Sequence, residues 1–344
     1  MTVEELVHKY DPQNQFKVLI DTYKQIDYAW NNPNDLGNIK KENISSIIVT
    51  GLGGSAMSGD LLQNFCAGEI KIPYSVNRNY FLPEYADEYS LVIVSSYSGN
   101  TEETISALNH ALKKKCQVIC ISTGGKISQT AKKNNIPVVV IPAGLQPRYA
   151  LGLSFFSLLK IFQTLNLIPD QSKYVEEIRE LWKQNGEIFS TENNLAHSYA
   201  EKIIGYIPII YSAADVTSAV GYRFKCQFNE NSKLHAFHNV IPELNHNEII
   251  GWESFDDDKF QAKLFTVYDD CYLPQIKKRF EITSELATKS GIEVNNLSSN
   301  KNQFKVRLMD LIYLTDWITY YTAVLRAFDP TEINNINTLK ERLA

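Results

Sequence analysis

The chain has 344 residues, 44% of them apolar, which is enough for two domains of ordinary size with a core each. Its net charge of −5, with no basic tract and no aromatic-basic interleaving, argues against nucleic acid as a partner. The cysteines (Cys66, Cys116, Cys120, Cys226, Cys271) are odd in number and lack a Cys-x-x-Cys pair, so reduced, mostly buried thiols in a cytoplasmic protein are expected.

Residues 1–10 mix acidic and basic side chains without an apolar run, so no secretory signal is read there. Residues 16–30 form an amphipathic helical pattern, followed by a polar loop over 31–34. A strand at 46–50 then runs straight into Gly51-Leu52-Gly53-Gly54-Ser55-Ala56, whose glycines permit a tight turn and a close approach to an anion. Further strand signals fall at 72–76, 91–94, 118–121 and 138–141, with helical patterns between most of them. That alternation predicts right-handed βαβ units and a parallel sheet covered on both faces.

The strand at 91–94 leads into Ser95-Ser96-Tyr97-Ser98-Gly99-Asn100-Thr101, after which the period becomes helical, with Asn100 and Glu103 placed as caps. The first amides of that helix are unpaired and the dipole end is positive. With the hydroxyls beside them they are suited to a phosphate or carboxylate, although such a turn in isolation also reads as ordinary capping. Arg148 precedes a long apolar stretch at 151–168, which polar residues mark as a buried core helix and not a membrane span. As a lone arginine it also reads as a surface ion pair.

The second half repeats the theme, with strands at 207–211, 260–268 and 292–297 and helices at 217–229, 272–289 and 307–325. Ile333, Ile336, Leu339 and Leu343 predict a short amphipathic helix that docks. The expected architecture is α/β, with a phosphate-binding domain over 1–152 and a second over 153–344. A dinucleotide reading of Gly51-x-Gly53-x-x-Ala56 remains open, since Arg78 after the second strand suits a 2′-phosphate, but no acidic residue stands there for a ribose. The two hydroxyl-rich turns favour a sugar phosphate.

The chain resembles the sugar-isomerase (SIS) family, and within it the bifunctional phosphoglucose/phosphomannose isomerases. The matching stretches are the two loops, Pro147-Arg148, Phe228-Asn229-Glu230-Asn231, Glu243-Leu244-Asn245-His246-Asn247 and Lys340. The resemblance implies two doubly wound parallel-sheet domains, flavodoxin-like three-layer αβα. It implies reversible conversion of glucose 6-phosphate and mannose 6-phosphate to fructose 6-phosphate, without metal or cofactor.

On that resemblance Glu230 is the base, Arg148 stabilises the enediolate, and His246 opens the ring with Lys340. Gly53, Gly54, Ser55, Ser96, Ser98 and Thr101 hold the phosphate, and Thr331 is the nearest candidate for dual specificity. A homodimer is implied in which His246 arrives from the neighbouring subunit. Glu230 stands near a helix C-terminus, which disfavours an anion and, with burial, raises the pKa of a carboxyl. Read alone it is a solvated carboxylate, His246 a turn residue and Lys340 a surface lysine. A sugar-phosphate-binding regulator without turnover and an amino-sugar phosphate isomerase are the alternatives.

Overall fold

The computed structural model describes residues 1–33, 35–37, 39–257 and 261–343. Asn34, in the expected polar loop, Phe260, the first residue of an expected strand, and the terminal Ala344 lie outside the described residues. The chain forms two compact units, Thr22–Arg179 and Met1–Asp21 with Glu180–Ala344.

In chain order, α1 (Val3–Tyr10) and α2 (Gln15–Ile20) belong to the unit that ends at Ala344. The other unit holds α3 (Tyr23–Asn31), β1 (Ser46–Thr50), α4 (Gly53–Phe65), β2 (Tyr74–Asn77), β3 (Ser90–Ser96) and α5 (Glu102–Lys113). It continues with β4 (Gln117–Ser122), α6 (Gly125–Lys133), β5 (Val138–Val140) and α7 (Leu151–Thr164). After α8 (Ser172–Phe189) come α9 (Leu195–Ile203), β6 (Ile207–Ala213), α10 (Ser218–Ser232), β7 (Phe237–Ile241) and β8 (Ala262–Val267). Then follow α11 (Pro274–Lys289), β9 (Glu293–Leu297), α12 (Phe304–Leu325) and α13 (Asn334–Leu343). The single helix expected over 16–30 is two helices, broken at Asp21 and Thr22.

In the 22–179 unit five strands pair in parallel in the order β2-β1-β3-β4-β5. The pleat sorts their apolar residues. Ile48, Val92, Val94, Val118 and Cys120 share one core with Ala107, Leu108 and Ala111 of α5 and with Ile127 and Ala131 of α6. The alternate residues, among them Ile47, Val49, Leu91 and Ile93, are also fully buried, so the strands are covered on both faces as their unbroken apolar runs require. The order reverses between β1 and β3, the position where open α/β sheets receive ligands beyond their carboxyl ends. Both hydroxyl-bearing turns leave the sheet there.

The other unit carries a parallel sheet in the order β7-β6-β8-β9. The edge strand β7 is absent from the sequence expectation, and helices α8 and α9 are likewise additional to it. At its own reversal point, between β6 and β8, the crevice is filled. Tyr272 is 4% exposed, donates its hydroxyl to the Val267 carbonyl at 2.8 Å, and shares a short hydrogen bond with Thr217 Oγ1. Its ring stacks on Phe280 at 5.4 Å.

Helix α12 is buried almost throughout, and α10 docks on it by a polar ladder at i, i+4, i+8 spacing. Arg223 makes a bidentate pair with Asp316, both contacts 2.8 Å, and Gln227 adds a donor to the same carboxylate at 3.1 Å. One turn on, Asn231 Nδ2 donates to Thr319 Oγ1 at 3.1 Å and Ser232 Oγ to the Thr319 carbonyl at 2.7 Å. The terminal helix α13 has no buried residue: Leu339 and Leu343 are 58% and 67% exposed. Ile336, Leu339 and Leu343 do not dock as their spacing predicts, while Ile333, half-buried, precedes the helix.

Candidate active site

The two loops of the 22–179 unit form one structure. Ser55, in the first turn of α4, accepts a hydrogen bond from the Tyr97 amide at 3.1 Å, so the glycine turn and the hydroxyl turn are joined directly. The backbones are in contact as well: a Cβ on Gly51 would lie 2.6 Å from the Ser95 carbonyl. Gly53 takes φ +51°, which starts α4 without a side chain to obstruct an anion. Ser96 Oγ donates to Thr101 Oγ1 at 3.1 Å, and exposed Ser98 accepts from the Asn100 amide at 3.2 Å.

Asn100 does not cap α5. Its Oδ1 accepts from the Lys126 amide at 3.1 Å, tying the loop to the start of α6, because Gly99 packs so tightly on Gly124 that the two turns are neighbours. Thr101 occupies the cap position without a side-chain bond to the helix, while Glu102 and Glu103 supply the acidic first turn the dipole favours. Hydroxyls at 55, 96, 98 and 101 with the free amides of two helix starts can hold one phosphate.

Arg148 lies in a single 3-10 turn before α7 and is 3% exposed, so it is no surface ion pair. Its guanidinium stands over the Tyr149 ring at 5.4 Å. The Pro147 carbonyl comes within 2.8 Å of where a Gly54 Cβ would be, which brings the arginine turn against the phosphate loop. Two residues that sequence reasoning missed support this arrangement. Gln25 of α3, 7% exposed, donates to the Tyr149 carbonyl at 2.7 Å and accepts from the Leu153 amide at 3.2 Å. Tyr97 donates its hydroxyl to the Pro142 carbonyl at 3.0 Å and accepts from the Leu145 amide at 2.9 Å, bracing the loop that leads to Arg148. Tyr97 carried a signal, as the one bulky ring in a loop of hydroxyls and glycine; Gln25 carried none.

Arg78, the residue on which a nucleotide 2′-phosphate would depend, has its guanidinium on the Asp60 carboxylate in a short ion pair. That engagement counts against the dinucleotide reading.

In the other unit Glu230 is half-buried in the last turn of α10. His246 is exposed at the end of a 3-10 turn over Glu243–His246, and its flanks are held. Asn245 Nδ2 donates to Thr283 Oγ1 at 2.9 Å, and Glu248 accepts from Tyr211 at 2.8 Å and from Asn239 at 2.5 Å. Lys340 is exposed on α13, and Thr331 is 2% exposed in the segment before it. Of the remaining histidines, His235 is exposed, while His238 Nε2 meets Ser212 Oγ at 2.7 Å. Cys271 is exposed, unlike the buried thiols expected. Its thiol is pushed up to about 12, first by desolvation and then by Asp269.

This architecture, a doubly wound sheet with two hydroxyl-bearing turns at its reversal point, is that of a phosphosugar-handling α/β protein. A solved Thermus thermophilus hypothetical protein has the same fold, with a TM-score of 0.73 at 15% identity over 99% of this chain and 94% of that one. Residues 192–343 match the family described as bacterial phospho-glucose isomerase C-terminal SIS domain. A Caldicellulosiruptor bescii protein called bifunctional phosphoglucose/phosphomannose isomerase is 42% identical, over 89% of this chain and 92% of its own length. An Aquifex aeolicus protein of the same name is 33% identical over 86% and 90%. The chain belongs to the bifunctional phosphoglucose/phosphomannose isomerase family. Among the described residues, no helix is long and apolar enough to cross a membrane.

Proposed function

We propose that the chain interconverts glucose 6-phosphate and mannose 6-phosphate with fructose 6-phosphate through a cis-enediolate. The observation that carries this is the joined pair of loops, Ser55 to Tyr97, with Arg148 buried beside Gly54 in a chain 42% identical to a bifunctional isomerase. Gly53, Gly54, Ser55, Ser96, Ser98 and Thr101 hold the phosphate. Glu230 removes the proton from C2 and returns it at C1. Arg148 places positive charge on the developing enediolate oxygens, and a buried guanidinium does this more effectively than a solvated one. His246 and Lys340 move the proton at O5 when the ring opens. Thr331 gives the enediol room to present either face, as acceptance of both C2 configurations requires.

We further propose a cytoplasmic homodimer in which His246 serves the neighbouring subunit, a role its exposure within its own chain supports. The direct test follows glucose 6-phosphate formed from fructose 6-phosphate with a coupling dehydrogenase. Wild type is expected to turn over and Glu230→Gln to lose kcat with little change in KM. Equal rates from the two proteins would show that Glu230 is not the base.

A further inference from the structure

The end of α10 that carries Glu230 is fastened to the chain segment that leads toward α13. Its last carbonyls lie beyond the reach of intrahelical donors, and two cations take them. Lys233, in the left-handed conformation (φ 50°) that stops the helix, donates from Nζ to the Asn231 carbonyl at 3.1 Å and, in a short hydrogen bond, to the Asp329 carbonyl. Arg326 Nε donates to the Ser232 carbonyl at 3.1 Å. Asp329 in turn accepts from the Thr331 amide at 2.7 Å through its own carboxylate. One ammonium therefore spans the backbone next to Glu230 and the backbone two residues before Thr331.

We propose that Lys233 is a positioning residue that sets the register between the base Glu230 and the Asp329–Thr331 segment. The proposal rests on the reading of Glu230 as base. Proton transfer at carbon requires the carboxylate within a few tenths of an ångström of its productive place, and a displacement of about 1 Å costs on the order of a hundredfold. The buried Asn231 and Ser232 contacts hold the face of α10 on α12. Lys233 reaches the chain at Asp329.

The test compares wild type, Lys233→Met, Lys233→Arg and Glu230→Gln in the fructose 6-phosphate assay, below the melting temperature of each. Inhibition by glucitol 6-phosphate, which cannot isomerise, reports the phosphate grip alone. Lys233→Met is expected to lower kcat about tenfold to a hundredfold and to shift the ratio of glucose to mannose product, with the inhibition constant unchanged. Lys233→Arg, which keeps the donors, is expected to recover most of kcat. A Lys233→Met protein that melts lower yet keeps wild-type kcat and product ratio would make the residue merely structural and overturn the proposal. A fully active Glu230→Gln would overturn the base assignment first, and this inference with it, whereas an inactive Glu230→Gln beside a normal Lys233→Met would overturn this inference alone.

Discussion

The Tyr97 amide donates to Ser55 Oγ at 3.1 Å, a single contact that joins a turn after β1 to a turn after β3. The hydroxyl proton of Ser55 remains available to a ligand while its oxygen holds the neighbouring loop, so one side chain both shapes the paired turns and can serve the phosphate proposed to bind there. Ser96 donates its proton to Thr101 Oγ1, which leaves the Thr101 hydroxyl proton available in the same way.

Ser55→Ala and Thr101→Ala are therefore expected to raise KM for sugar phosphates. A hydrogen bond to a charged group is worth about 1.5–3 kcal/mol, which corresponds to roughly tenfold or more. The proton-transfer step does not use these hydroxyls, so kcat should change little. Initial-rate kinetics in the coupled assay separate the two parameters, and a fall confined to kcat would contradict this assignment.

Gly54 faces Pro147 at a distance no side chain tolerates. Gly54→Ala is expected to push the Arg148 turn outward and to reduce kcat/KM by about a hundredfold, since a displacement on the order of 1 Å has that effect. Gly99→Ala has a harsher basis, because its Cβ would lie 1.9 Å from the Gly124 carbonyl at φ +67°. That variant should lose phosphate binding, measured by isothermal titration with glucitol 6-phosphate.

Arg223 and Asp316, 2% and 6% exposed, form the buried ion pair between α10 and α12. Arg223→Met leaves the carboxylate without its cation and should cost about 3–5 kcal/mol of stability. The double variant Arg223→Met with Asp316→Leu removes both charges and should recover most of that loss. Urea denaturation of wild type, the two single variants Arg223→Met and Asp316→Leu, and the double variant gives the coupling; additive losses would disprove it.

His238 is neutral in the folded chain. Burial chiefly, and the Lys225 ammonium next, lower its pKa from 6.5 to about 4. Between those values the unfolded chain binds a proton that the folded chain does not, so stability is greatest above pH 6.5 and declines toward pH 4. The decline due to this group is on the order of 3 kcal/mol. His238→Gln should flatten the dependence of the urea midpoint on pH over that interval relative to wild type, and parallel curves would refute the assignment.

The first sheet was legible because each of its central strands is an apolar run bounded by polar residues. β7 was not: in Phe237-His238-Asn239-Val240-Ile241 the first apolar residue is exposed, the middle three are half-buried and two of them polar, so this edge strand has neither an apolar run nor clean alternation. The break of the first helical pattern at Asp21 was hidden for a different reason. Leu19 is held through its carbonyl by Tyr313, and Gln25 by Tyr149, so its two halves answer to partners far away in the chain. The phosphate loops could be read because glycine and hydroxyl residues have to lie close together in sequence to serve one ligand. Gln25 braces the arginine turn and Lys233 the end of α10 from isolated positions, and no local pattern marks them.

Tyr272, finally, has a bearing on stoichiometry. Both sheets have a reversal point of the sort that receives a ligand, yet in the second the space is occupied by a phenol bonded to Thr217 and Val267 and stacked on Phe280. A chain with two related sheets is thus expected to saturate at one sugar phosphate, and its second crevice can reopen only at the expense of a buried ring.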